Sequence, residues 1–87
     1  MIPERTKETI DNYVTKGLEP GGFVHAVLAN DLKGALGQAD AMNRECLFAI
    51  VGYVYSFIPH NAHGSYEIVQ KWISDKNRKV EYESENL

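Results

Sequence analysis

Cysteine is almost absent from this chain of 87 residues, and the single Cys46 cannot form an internal disulfide. A protein without disulfides is typical of a reducing compartment such as the cytosol. Long apolar runs are also absent, because the longest, residues 47–51, is far shorter than the about 20 residues that span a bilayer. The sequence shows no signal peptide. We therefore expect one small cytoplasmic domain with a limited core and no membrane partner.

Basic residues are few and widely spaced. Nine Lys and Arg stand against twelve Asp and Glu, which gives a formal net charge of −3. Binding to long nucleic acid depends on clustered Lys and Arg side chains that neutralise phosphates. The scattered positions of the basic residues therefore argue against long nucleic acid as a partner.

No segment shows the alternation of apolar and polar residues that is typical of a strand. Proline and glycine divide the chain into four to five predicted helices. The first covers residues 3–16 and ends at Gly17. The second covers residues 21–30, and a short third begins at the Asn30-Asp31 cap and ends near residue 36. The spacing predicts an all-α fold.

The longest predicted helix begins at the N-cap Asp40 and ends at Pro59. Its apolar residues cover nearly the whole circumference, whereas a surface helix of a monomer shows one apolar face. Because so small a protein has little chain to wrap this helix, we expect a homo-oligomer whose neighbouring subunit covers the remaining side. The alternative is a central helix enclosed by other helices of the same chain.

The C-terminal part contains one further predicted helix. Ser65 caps it, and it runs to about residue 76 with Val69, Trp72 and Ile73 facing inward. Residues 77–87 are polar and lack a periodic apolar face, so we expect a disordered tail. The chain is thus divided into one helical domain, residues 1–76, and a tail, residues 77–87.

A turn precedes the second helix and is the strongest indication of a ligand. Pro20-Gly21 fits the middle of a type II turn, in which the glycine takes a positive φ. Gly22 then leaves backbone N–H groups uncovered at a helix start, where an anion such as phosphate is favoured. The same pattern is also typical of a plain connection between helices, so both interpretations stay open.

Catalytic and metal-binding patterns are weak. His25, His60, His63 and Cys46 lack the paired spacing that closed zinc sites show. Cys46 lies in an apolar helix, where a free cysteine usually packs as a small hydrophobe. The carboxylates show no apolar setting that would tune an acid and base pair. We predict neither a metal, nor a cofactor, nor an enzyme.

Aromatic residues near the turn favour binding. Tyr13 and Phe23 can approach each other across the connection, and a base stacked on an aromatic ring gains about 1–3 kcal/mol. Phosphates would contact backbone N–H groups, His25 or a nearby lysine. The alternative interpretations are core packing for Phe23, amphipathic packing for Tyr13 and solvent exposure for His25.

Together these motifs resemble the small phage anti-CBASS sponge proteins. The match runs from about residue 8 to residue 74 and consists of Ile10-Asp11-Asn12-Tyr13-Val14, Pro20-Gly21-Gly22-Phe23, Ala26-Val27-Leu28, Asn30-Asp31-Leu32, Ala39-Asp40, Asn43-Arg44, Gly64-Ser65 and Val69 with Trp72. Proteins of that family are helical, assemble as hexamers and sequester the cyclic oligonucleotides made by bacterial cGAS-like enzymes. They block the downstream effector without degrading the messenger.

The resemblance implies a protein of a lytic tailed phage that acts in the host cytoplasm. It implies a pocket between subunits for cyclic dinucleotides such as cyclic GMP-AMP, and a second kind of site for cyclic trinucleotides. Tyr13 is the match for the residue that stacks on the bases, with His25 or Lys33 for the polar contact and Gly22 and Phe23 at the turn.

One departure from the resemblance concerns Ala62-His63, where relatives carry Cys-Trp before the Gly-Ser pair. Any stacking or packing by that tryptophan is therefore lost or replaced by imidazole. The alternative function is a small oligomeric phage protein that binds and inhibits a host protein through its apolar long helix.

Overall fold

The computed structural model describes the backbone of residues 1–85 and the side chains of residues 1–78. Within this part the chain forms six α-helices and a short 3-10 turn, and no strand. The helices are α1 (Glu4–Lys16), α2 (Gly22–Leu28), α3 (Leu32–Gln38), α4 (Ala41–Glu45), α5 (Leu47–Phe57) and α6 (Tyr66–Glu85), with the 3-10 turn at His60–Ala62. The predicted all-α class is confirmed for these residues.

The core lies around the short helix α2, in which five of the seven residues are buried. The largest fully buried side chains come from four different helices: Tyr13, Ile10, Leu28, Ile50 and Val69. Helix α2 contacts α1, α3 and α6. The short helix α2 therefore lies at the centre of the core, where the sequence analysis predicted one long helix.

The predicted long helix is divided at Cys46, and this prediction was wrong. Cys46 has φ −100° and ψ 9°, which interrupts the helix between α4 and α5. Before the break, Asn43 of α4 accepts a hydrogen bond from Thr6 of α1, and after it Ile50 and Val54 of α5 enter the core. The break contains neither glycine nor proline, so helix propensity did not indicate it.

Helix caps follow the sequence closely. The backbone N–H of Asn43 donates to Asp40 at 2.8 Å, and that of Ile68 donates to Ser65 at 3.1 Å. Gly17 ends α1 with φ 69°, a left-handed conformation that glycine adopts without steric cost. These caps confirm where three of the predicted helices begin or end.

The turn before α2 differs from the prediction. Gly21 has φ −67° and ψ 169°, so the expected type II turn with a positive φ at this glycine is wrong. The physical reason is that Gly21 is the N-cap of α2, a position that takes an extended backbone, and its carbonyl accepts from the His25 N–H at 2.9 Å. Helix α2 ends at Leu28, two residues before the predicted end.

The last helix continues past residue 76 as far as Glu85. The division of the chain into a domain and a tail at that point stays a prediction, and its last two residues, 86 and 87, lie outside the described residues. Over the part of the chain that the structure describes, no helix has the length and apolar character that crossing a bilayer requires.

Candidate functional site

A hollow of about 280 Å³ lies beside Gly21 and Gly22, and we call it the turn hollow. Its base contains the buried side chains of Phe23 and Val24. Its polar lining consists of Arg5, Thr6, Thr9, Gln38 and Asn43. The turn that the sequence analysis identified therefore borders a hollow that is lined by a cation, two hydroxyls and two amides.

A hydrogen bond between helices fixes one wall of the turn hollow. The hydroxyl of Thr6, which is only 6% exposed, donates to Oδ1 of Asn43 at 2.6 Å. The backbone of Asn43 is itself held by the Asp40 cap. Because α1 and α4 are tied at this point, the polar wall is preorganised before any ligand arrives.

Gln38 also lines the turn hollow, and the end of its side chain lies close to Gly22. A Cβ added to Gly22 would lie 3.0 Å from Oε1 of Gln38. Such a contact is shorter than an ordinary van der Waals contact, so a side chain at position 22 would shift the amide of Gln38. The absent side chain thus keeps the amide of Gln38 beside the exposed backbone of the turn.

Two of the five residues predicted to bind ligand line the turn hollow, namely Gly22 and Phe23. Tyr13 lies in the core with no exposed surface, and its hydroxyl donates to the carbonyl of Ala62 at 2.8 Å. Burial raises the pKa of this hydroxyl. The stacking role of Tyr13 stays a prediction, and it requires the ring to leave the core.

His25 and Lys33 lie away from the turn hollow. The His25 ring packs against Tyr66 with 5.3 Å between centroids, and its Nε2 is buried without a hydrogen-bond partner among the described residues. Lys33 is exposed on α3. Their proposed contacts with phosphate also stay predictions.

Tyr66 continues this group of side chains towards α3. Its hydroxyl donates to Oδ2 of Asp31 at 2.6 Å, while Oδ1 of Asp31 accepts from the Gly34 N–H at 2.9 Å. The hydrogen bond from Tyr66 and the one from Gly34 hold the pKa of Asp31 below its ordinary value. The group therefore joins α6 to the N-terminus of α3.

Arg5 is the cationic residue that sequence reasoning missed, and the other polar residues of the turn hollow were not predicted as ligand contacts either. Arg5 is exposed on α1, sixteen positions before Gly21 along the chain, and only the packing of α1 against α2 brings the two together. A faint signal was present, because Arg5 and Thr9 are four residues apart and so lie on one helical face. Nothing in the sequence indicated that this face borders the turn.

The residues considered for metal binding do not converge. His60 and His63 lie edge to face with 6.2 Å between ring centroids, and Cys46 is a half-buried free thiol. Among the described residues, no group of three His, Cys, Asp or Glu side chains is arranged to hold a metal ion.

An exposed apolar surface lies on α5, and we call Phe48, Val51, Gly52 and Tyr55 the α5 face. These positions follow the helical spacing i, i+3, i+4 and i+7, so they share one side of the helix. Phe48 is 93% exposed and Tyr55 is 83% exposed. The α5 face is continuous with a cleft that Val51 shares with Leu32 of α3.

No protein-family model, curated protein or solved structure matches this chain. Its function is therefore inferred from the turn hollow, the α5 face and the motifs of the sequence.

Proposed function

We propose that this protein sequesters cyclic oligonucleotide second messengers and so blocks activation of CBASS effectors without cleaving the signal. The observation that carries the proposal is the turn hollow, where Arg5 lies beside the exposed backbone of Gly21 and Gly22. A guanidinium can donate two parallel hydrogen bonds to a phosphate, and backbone N–H groups at a turn add further donors. The hydroxyl and amide groups around them suit the ribose and the base edges.

The size of the turn hollow favours a site shared between subunits. About 280 Å³ lies below the roughly 300–1,000 Å³ of sites that enclose a whole small ligand. A cyclic dinucleotide carries two phosphates in two equivalent halves. Two symmetry-related subunits would each supply one Arg5 and one turn, so that each hollow holds half of the ligand.

The α5 face supplies a surface for the assembly that this proposal needs. Since an aromatic side chain buries about 150–250 Å², covering Phe48 and Tyr55, which are 93% and 83% exposed, would remove roughly 260–440 Å² of apolar surface. This is a third to a half of the about 800 Å² that each partner of a standard interface contributes. Helix α5 contains no charged residue, so a second copy would bury the face without desolvating a charge.

Calorimetry with cyclic GMP-AMP tests the binding. We expect Arg5→Gln to weaken binding at least tenfold, because it removes the cation and keeps a polar side chain. Arg44→Gln is the matched control, since Arg44 is an exposed arginine that does not line the turn hollow. Equal affinities of the two variants would refute the assignment of Arg5.

The fate of the nucleotide distinguishes a sponge from an enzyme. After denaturation of the complex, a sponge releases intact cyclic GMP-AMP, whereas a phosphodiesterase releases cleaved product. An absence of binding to a panel of cyclic di- and trinucleotides would refute the proposed function.

A second candidate function is favoured by the α5 face itself, which would also suit a host protein as partner. Light scattering after size exclusion separates the two. We expect an oligomer, with six subunits as the proposed number, that Phe48→Lys together with Tyr55→Lys converts into smaller species. A wild-type monomer would favour capture of a host protein.

A further inference from the structure

A second hollow, of about 400 Å³, lies along one face of α6 and shares no residue with the turn hollow. We call it the Trp72 cleft. It is lined by Asn61, Ile68, Lys71, Trp72, Asp75 and Lys76. Its volume falls within the roughly 300–1,000 Å³ of ligand sites, so one subunit has room for a small ligand in this open cleft.

The indole of Trp72 is held in a fixed orientation. Its N–H donates to the carbonyl of Tyr13 at 3.2 Å and to that of Val14 at 3.3 Å. Because both acceptors belong to the end of α1, the ring cannot turn without breaking a contact between the first and last helices. The cleft therefore offers a rigid aromatic surface, which is what stacking of a flat ligand requires.

The cationic side chains of the cleft have weakly held partners. The Nζ of Lys76 lies 4.9 Å from the centroid of the Trp72 ring, a cation–π contact. Lys71 pairs with Asp75 at 2.8 Å, and the two side chains are 77% and 48% exposed. Exposed ion pairs contribute little to stability, so Lys71 can exchange its partner at small cost. Both ammonium groups are thus available to an anion.

The local charge also favours an anion. The cleft contains two lysines and one aspartate, whereas the whole chain has a formal net charge of −3. The hydrogen bond from Lys71 lowers the pKa of Asp75, so this carboxyl is ionised at neutral pH and the positive excess is one charge. The exposed amide of Asn61 at the rim adds a hydrogen-bond donor and acceptor.

We propose that the Trp72 cleft binds a nucleotide, with the base on the Trp72 indole and the phosphate between Lys71 and Lys76. Lys76 leaves the ring face as the base arrives, and exchanges its cation–π contact for a charge-assisted hydrogen bond. This site goes beyond the proposed function, because it uses other residues and stands without the turn hollow. The nucleotide is either free or one unit of a cyclic oligonucleotide.

Fluorescence provides a direct test, because Trp72 is the only tryptophan of the chain. The purified full chain is titrated with adenosine 5′-monophosphate, and free N-acetyltryptophanamide corrects for absorption by the base. We expect saturable quenching. Adenosine, which lacks the phosphate, should bind at least tenfold more weakly, and ribose 5-phosphate, which lacks the base, should leave the emission unchanged.

The double variant Lys71→Gln with Lys76→Gln should weaken the quenching at least tenfold. Glutamine keeps the Cβ and Cγ groups with which Lys76 packs near Gly17, so the fold is retained, and a melting curve checks this. Lys7→Gln is the matched control, because it breaks the equivalent i, i+4 pair with Asp11 on α1. We expect it to quench as the wild type does.

The proposal is overturned if adenosine monophosphate neither quenches Trp72 nor gives heat in calorimetry, or if the double variant and the control quench alike. It is also overturned if Arg5→Gln abolishes the quenching, since the cleft would then not be a separate site. Quenching that persists without any binding of cyclic GMP-AMP would support the cleft and refute the proposed function. A parallel titration with cyclic di-AMP shows whether the cleft also accepts a unit of a cyclic oligonucleotide.

Discussion

Removal of the Tyr13 hydroxyl should destabilise the protein even though the ring remains. Tyr13→Phe deletes the O–H that donates to Ala62, and both residues are fully buried. A buried carbonyl left without its donor costs about 1–3 kcal/mol. Tyr13→Ala removes the ring as well, and loss of a buried aromatic side chain costs about 3–5 kcal/mol.

These magnitudes matter for a domain of this size. At about 0.05–0.15 kcal/mol per residue, a chain of 87 residues has a free energy of unfolding of roughly 4–13 kcal/mol. Tyr13→Ala can therefore unfold the protein outright, whereas Tyr13→Phe should remain folded. The stacking role of Tyr13 is therefore tested with Tyr13→Leu, which removes the aromatic ring but keeps much of its apolar volume, once circular dichroism shows that the variant is folded.

The assay is urea unfolding at pH 7, followed by circular dichroism. Ser74→Ala is the control, because it removes a hydroxyl that is exposed on α6, away from both hollows and the α5 face, and the variant should stay within about 0.5 kcal/mol of the wild type. A Tyr13→Phe variant as stable as this control would refute the contribution of the hydrogen bond to Ala62.

The pH dependence gives a second readout of the same hydroxyl. Burial raises the pKa of Tyr13 above the unfolded value of about 10, so the folded state holds the proton more tightly. The stabilisation is complete below about pH 10 and is lost as the pH rises further. The stability difference between the wild type and Tyr13→Phe should therefore shrink above pH 10, and a constant difference would contradict the assignment.

Three further substitutions test the fold. Gly17→Ala should lower the free energy of unfolding by at least about 1–2 kcal/mol, because the φ of Gly17 is +69° and an added Cβ would clash with Lys76. Gly37→Ala should raise it by about 0.5–1 kcal/mol, because a Cβ at this position of α3 meets open space. Thermal unfolding that ranks the two variants the other way would contradict this. Burial raises the pKa of Asp11, but hydrogen bonds from Tyr53 and Lys7 outweigh it, so the pKa is lowered overall. The stabilisation by the ionised Asp11 carboxylate is present above about pH 4 and is lost as the pH falls below that value. Asp11→Asn should therefore lower the urea midpoint at pH 7 and have a smaller effect towards pH 3. An equal effect at the two pH values would argue against a role of the Asp11 charge.

Local signals in the sequence predicted the boundaries of several helices. Asp40, Ser65 and Gly17 each act within three or four residues of their own position, so a cap can be read without knowledge of the fold. The inward positions of Val69 and Ile73 followed from helical spacing in the same way.

The missed features depend on contacts between distant residues. The break at Cys46 lies between Asn43, which accepts a hydrogen bond from Thr6, and Ile50, which is buried in the core. Neither contact can be read from the local sequence. Arg5 reaches the turn hollow only because α1 packs on α2. The hydrogen-bond partner of the Tyr13 hydroxyl, the Ala62 carbonyl, lies 49 positions away along the chain and was likewise not visible in the sequence.

The hydrogen bonds at the end of α1 also bear on how the chain folds as it is synthesised. The Tyr13 hydroxyl needs the carbonyl of Ala62, and the carbonyls of Tyr13 and Val14 accept from Trp72, which lies 59 and 58 positions further along the chain, respectively. Such long-range contacts are slow to form, since the entropy of closing the loop must be lost first. The first helix therefore completes its packing only after α6 has been synthesised and has left the ribosome.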